Sequence, residues 1–167
     1  MHQRSWTRYA VAVLAAAGAA AASLAAQSAQ PNCKRIHADL VENRSTTACR
    51  PGHAVCFLGD VDGNHGLRGT TYFHADSSAA GPGTGLPGFI SYSGSFEYAT
   101  PDGTLVTRET GVSNQSTGQP ESGAVTAYQK ILNATGALAG ATGHFFVSGF
   151  STNGRVVTEI TGEICFP

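Results

Sequence analysis

The chain has 167 residues, of which 21 are glycine and only 13% are charged, and its formal net charge is −1. So balanced a charge carries no basic footprint for nucleic acid. The length allows one domain with a substantial core and is short for two.

Arg4 and Arg8 precede an apolar, alanine-rich run from Ala10 to Ala26, with small residues at Ser23 and Ala25, or at Ala26 and Ser28, suited to cleavage. The pattern predicts a signal peptide over 1–28, and the run is too short and too weakly hydrophobic for a membrane anchor. No lipobox precedes Cys33 and no twin arginine is present, so a secreted or periplasmic product with no membrane attachment after cleavage is expected. The leader takes with it Trp6 and Met1, the sole Trp and Met, and leaves eight Lys and Arg against eleven Asp and Glu. Residues 29–167 are expected to form a single β-barrel domain.

The first stretch of that domain, 33–44, is ambiguous, because Ile36 and Leu40 fit a helical face while Ile36, Ala38 and Leu40 alternate as a strand does. It is read as a strand. Weaker runs follow at 55–61 and 67–75. Ile90, Tyr92, Phe96 and Tyr98 then alternate with Ser91, Ser93, Ser95 and Glu97, the period of a strand with one apolar face. Further runs cover 104–112, 123–132 and 143–150. In the last run Val156, Thr158, Ile160 and Ile164 alternate with Arg155, Glu159 and Glu163. Asp62-Gly63, Asp102-Gly103 and Asn153-Gly154 lie between runs, where Asx-Gly favours tight hairpins. Counted together, these runs predict an all-β, antiparallel, up-and-down barrel, in which an even strand number of eight lets the first and last strands close the sheet.

Closure decides the cysteines. Cys33 opens the first strand and Cys165 ends the last, so the two meet at one rim, while Cys49 and Cys56 pinch the first connection. Disulfides Cys33–Cys165 and Cys49–Cys56 are therefore expected in an oxidising compartment. No Cys-x-x-Cys or Cys/His cluster offers a zinc site, so neither metal nor cofactor is expected.

Other motifs carry little. Gly83-Thr-Gly-Leu-Pro-Gly88 precedes a strand where a phosphate site needs a helix. Asp60-Val-Asp-Gly-Asn64 has His65 and Thr71 where a calcium loop has Gly and Glu, and reads as a polar hairpin. No nucleophile elbow or zinc-protease motif is present. Asn43, Asn114 and Asn133 stand in glycosylation sequons, meaningful only in a eukaryotic source.

Gly136-Ala-Leu-Ala-Gly-Ala-Thr-Gly143 before the final hairpin, with Pro101-Asp-Gly-Thr104 in an earlier turn, resembles the allene oxide cyclase-like and dirigent-like barrels, in which a Gly-rich turn, an aromatic and Gly-x-x-Gly stand in the related segment. The resemblance extends over 36–164, and its specific part is the glycine segment. It implies an eight-stranded barrel with an apolar lumen, in a family that guides cyclisation or coupling of lipid-derived or phenolic substrates. No functional motif is matched, so no catalytic residue is carried over.

Three functional classes follow: a secreted barrel that holds a small apolar or aromatic molecule in its lumen, an isomerase or cyclase using that lumen, and a protein-binding or inhibitor barrel that works through its loops at 76–87 and 113–122. The aromatic stripe Tyr92, Phe96 and Tyr98 is the expected lumen wall. If the lumen moves protons, Glu109, Glu159, His74 and His144 form the candidate pool. Oligomeric state is left open.

Overall fold

Alternate side chains in eight successive stretches are mostly apolar, and in the computed structural model each stretch is a strand that turns that face to a common interior. The structure describes residues 32–80, 88–114 and 122–167. The predicted leader at 1–28, most of the Gly83–Gly88 motif and much of the two predicted loops lie outside the described residues.

The strands are β1 (Asn32–Ser45), β2 (Cys56–Gly63), β3 (Arg68–Ala80), β4 (Phe89–Thr100), β5 (Gly103–Asn114), β6 (Gly123–Ala134), β7 (Thr142–Thr152) and β8 (Arg155–Phe166). Each pairs antiparallel with the next, and β8 returns to β1, giving a closed eight-stranded barrel. The seam is long: β1 and β8 pair from Asn32 opposite Phe166 to Asn43 opposite Arg155. Closure removes the exposed edges that an open sheet would offer. Among the described residues the helical content is one 3-10 turn, Gly136–Leu138, and no helix is long and apolar enough to cross a membrane.

Both expected disulfides form. Cys33 and Cys165 are opposed across the β1–β8 seam, and Cys49 joins Cys56 at the start of β2. Such bridges belong to chains that mature in oxidising compartments.

The turns correct two expectations: Gly103 pairs with Thr100 and belongs to β5, so the β4–β5 loop is Pro101-Asp102, and Asp62-Gly63 does not form a turn either. Gly63 is still paired, opposite Ala38, so Asp62-Gly63 belongs to β2. The hairpin turns one step later, where His65 and Gly66 take φ of 51° and 84° and the Asn64 side chain accepts from the His37 amide at 3.0 Å and donates to the Arg35 carbonyl at 3.1 Å. Asn64, and not Asp62, thus supplies the side chain that fixes this turn. Asn153-Gly154 is a two-residue hairpin loop with φ of 52° and 77°, as Asx-Gly favours. The predicted loops are also shorter: β3 runs to Ala80 through a bulge between Ala75 and Ser77, and β5 runs to Asn114.

The glycine segment shapes one end of the barrel. Gly143, the second residue of β7, has φ of 139°, and a Cβ there would lie 2.2 Å from the Glu163 carbonyl oxygen, so neither the conformation nor the spacing admits a side chain. Leu138, from the 3-10 turn, plugs this end with Leu67, Ile36, Leu105 and Ile164, all nearly inaccessible. Above the plug lie Leu40, Tyr98, Phe145 and Ile160, again buried. The upper third of the interior is different.

Candidate functional site

At the end where β1 joins β2, β3 joins β4, β5 joins β6 and β7 joins β8, the interior holds a cavity of about 200 Å³. Its walls are apolar and partly aromatic: Phe57 from β2, Phe73 from β3, Tyr92 from β4, Val125 from β6, Val147 from β7 and Val156 from β8. Phe73 is the hub, with ring centroids 5.8 Å from Tyr92 and 6.0 Å from Phe57. Two carboxylates also face it, Glu42 from β1 and Glu109 from β5, each 5% exposed, beside the hydroxyls of Ser113, Ser151 and Thr158. Among the described residues no Lys, Arg or His lines the cavity.

Local sequence makes room for these groups. Gly59 of β2 stands opposite Glu42, and a Cβ on it would come within 2.6 Å of the Glu42 side chain. Gly111 of β5 stands opposite Tyr92, whose ring and hydroxyl fill the place a Cβ would take, 2.6 Å away. Each large inward group is thus matched by a neighbour without a side chain, as close packing of a narrow barrel requires.

A chain of hydrogen bonds reaches Glu109 from the core. The Tyr98 hydroxyl donates to Gln129 Oε1 at 2.5 Å, and Gln129 Nε2 donates to Glu109 Oε2 at 2.5 Å, with all three side chains buried. The Tyr92 hydroxyl bonds to Glu109 as well. Glu42 is less well served: the Thr71 hydroxyl is its partner at 3.5 Å. Close by in the cavity wall, Thr158 Oγ1 is buried with no hydrogen-bond partner among the described residues.

Loss of water dominates the electrostatics. Burial pushes Glu42 up to about 8, the neighbouring Glu109 charge adds to this, and the Thr71 hydroxyl opposes it. Burial pushes Glu109 up to about 7 against the stabilising hydrogen bonds from Gln129 and Tyr92. The Tyr92 and Tyr98 phenols are driven far above their ordinary value, first by burial and then by the two carboxylates. Near neutral pH the pair therefore retains protons that exposed carboxylates would have lost, and its titration belongs to both residues together.

The predicted site residues separate by depth and by face. Tyr92 lines the cavity, whereas Phe96 and Tyr98 point inward below it and pack in the core at 1% and 0% exposure. Of the polar pool, Glu109 is in the lumen. Glu159 is exposed on the outer face of β8. His74 lies on the outer face of β3, stacked on His53 with ring centroids 3.6 Å apart. His144 is also outside, stacked on Tyr128 and 3.7 Å from Glu163. These three do not share a site with Glu109. Glu42 and Gln129 were missed, though Glu42 continues the inward series Ile36, Ala38, Leu40 and could have been read from it.

No protein-family model matches the chain, and no curated protein matches it. The fold is that of a closed, disulfide-stapled antiparallel β-barrel, and the chemistry of its lumen must be argued from the residues just described.

Proposed function

We propose that this exported barrel takes a small, largely apolar molecule into its lumen. The observation that carries the reading is the aromatic-walled cavity above a solidly packed lower core. Interiors are normally filled to the density of organic crystals, and an apolar cavity of roughly 150 Å³ is known to accept benzene. A volume of about 200 Å³ fits a single ring with a short substituent. The leader at 1–28 and the two disulfides support an extracellular or periplasmic place of work.

Glu42 and Glu109 favour a second reading, in which the bound molecule is also transformed. A carboxylate pair that titrates near neutrality in a dry site is suited to accepting a proton from a substrate at one oxygen and returning it at another. This agrees with the isomerase or cyclase activity implied by the resemblance to allene oxide cyclase-like and dirigent-like barrels. A role through the loops, as a protein-binding or inhibitor barrel, gains nothing from the lumen.

Toluene titrated into the secreted protein tests the first reading. Tyrosine fluorescence reports the occupancy, because no Trp follows Trp6. Saturable uptake is expected, weakened by Tyr92→Ala more than thermal stability is lowered. Failure of the wild type to take up any apolar probe rules the lumen out.

A further inference from the structure

The cavity joins two features that an uncharged ligand alone does not require. Its walls present aromatic faces from Phe57, Phe73 and Tyr92, and its polar part combines two inward carboxylates with the hydroxyls of Ser113, Ser151 and Thr158, with no cationic side chain among the described lining residues. Carboxylates this deep are ordinarily paired with Arg or Lys. Glu109 is hydrogen-bonded by neutral donors, Gln129 and Tyr92, and among the described residues Glu42 has only the long contact from Thr71. The unpartnered Thr158 hydroxyl adds an acceptor within the same wall. Among the described lining residues the polar groups are carboxylates and hydroxyls, all able to accept, and none carries a positive charge.

We infer that the lumen is built for a small organic cation, a primary amine on a single aromatic or similarly sized apolar body, whose ammonium group sits between Glu42 and Glu109. This inference rests on the lumen-binding reading and names its ligand class. An ammonium carries three donors and no acceptor, which suits two carboxylates and a free hydroxyl. Its apolar body meets the rings of Phe57, Phe73 and Tyr92, and aromatic faces attract a desolvated cation. A carboxylate ligand would meet like charge in a water-poor site, and an alcohol of the same shape would leave the carboxylate charge uncompensated.

Binding should be linked to protons. The cation favours ionised carboxylates, and burial holds both above their ordinary range, so binding near neutral pH expels a proton from the pair. The other titratable groups facing the pair are the phenols of Tyr92 and Tyr98, which are raised and stay neutral. An alkyl amine remains protonated throughout pH 5 to 8. Its affinity should therefore fall as pH drops below about 7, approaching tenfold per pH unit for a one-proton linkage.

The test is calorimetric titration of the secreted protein at pH 7.5 with four probes of one shape: 2-phenylethylamine, 2-phenylethanol, ethylbenzene and 3-phenylpropionate. The amine is expected to bind at least tenfold more tightly than the alcohol, with the anion weakest. Repeating the amine and ethylbenzene titrations at pH 5.5 should weaken the amine at least tenfold and ethylbenzene less than twofold. Glu42→Gln and Glu109→Gln should each remove most of the amine preference while retaining ethylbenzene. The wild-type probe series and its pH dependence decide the matter even if a variant fails to fold. Uptake of ethylbenzene or the alcohol as tightly as the amine, or a flat pH response, overturns the cation inference and leaves the lumen reading standing. Absence of binding by all four overturns both.

Discussion

Gln129 holds Glu109 by a 2.5 Å hydrogen bond inside the barrel, and its amide oxygen is already committed to Tyr98. Both ends of the amide are used, so its orientation is fixed and its N–H faces the carboxylate. Glu109 is therefore held as an acceptor, although its surroundings favour the protonated acid.

That tension predicts how stability depends on pH. Glu42 and Glu109 both have folded values raised above the ordinary 4.5, to about 8 and about 7. A raised acid binds protons more tightly folded than unfolded, so its contribution is complete below about pH 4.5 and is lost as pH rises through 7 and 8. Thermal unfolding should show the melting temperature falling between pH 5 and pH 8, by an amount equivalent to a few kcal/mol, since each tenfold difference in proton affinity between folded and unfolded chain is worth about 1.4 kcal/mol. Glu42→Gln should flatten the slope. A wild-type protein more stable at pH 8 than at pH 5 would contradict this account.

Replacing Gln129 with Leu removes the donor to Glu109 and the acceptor for Tyr98 at once. Two buried groups lose a partner, each at about 1–3 kcal/mol. Chemical denaturation should show a loss of roughly 2–6 kcal/mol, larger at pH 8, where Glu109 is ionised, than at pH 5. Equal losses at both values would mean that the bond to Glu109 contributes little.

Phe96 and Tyr92 lie on the same strand face at different depths, so their truncations should separate stability from binding. Phe96→Ala empties a fully packed site and should cost about 3–5 kcal/mol. Tyr92→Ala enlarges an existing cavity and should cost less, while weakening uptake of an apolar probe more. Denaturant titration beside probe titration on both variants makes the comparison, and a larger stability loss for Tyr92→Ala would place the packed core elsewhere.

The two disulfides should differ in weight. Cys33–Cys165 spans 132 residues of sequence and Cys49–Cys56 spans 7. By loop-closure entropy the long bridge contributes on the order of 4 kcal/mol and the short one roughly half that. Paired Cys→Ser replacements, unfolded by denaturant, should reproduce that order. A larger loss for the short bridge would show that it acts through native contacts.

Gly143→Ala and Gly140→Ala form a matched pair. Both have positive φ, but a Cβ at Gly143 meets a backbone oxygen at 2.2 Å, while at Gly140 it meets only the Pro167 ring at 3.3 Å. The first should cost roughly 3 kcal/mol or more and the second about 1 kcal/mol. Comparable melting temperatures for the two variants would show that the backbone yields at Gly143.

Much of the fold was legible because alternation and strand number are properties of the chain. Ile36, Ala38 and Leu40 gave the face of β1, and the positions of Cys33 and Cys165 at the two ends of the sheet then gave their pairing. The site was legible only in part. Alternation tells inward from outward, yet it carries no depth, so Tyr92 at the cavity and Tyr98 in the packed core look alike in sequence. Glu42 occupies an inward position by the same parity as Leu40, but a carboxylate there runs against the hydrophobic rule that identified the strand. Conversely, Glu159 alternates with the inward Thr158 and Ile160 and belongs outside. His74, between the inward Phe73 and Ala75, follows the same rule.

The β1–β8 seam also orders events in time. Because β1 pairs with the strand farthest from it in the chain, its free edge stays unsatisfied until β8 has formed, and that contact is the most non-local in the sheet. Such contacts delay folding, since the intervening chain must be ordered before they form. A chain that emerges amino-terminal end first presents β1 to its surroundings as a sticky edge until nearly all of it has been delivered. Expression yield should therefore depend on what shields that strand during delivery, and oxidation of Cys33 with Cys165 can serve as the recorded moment at which the barrel shuts.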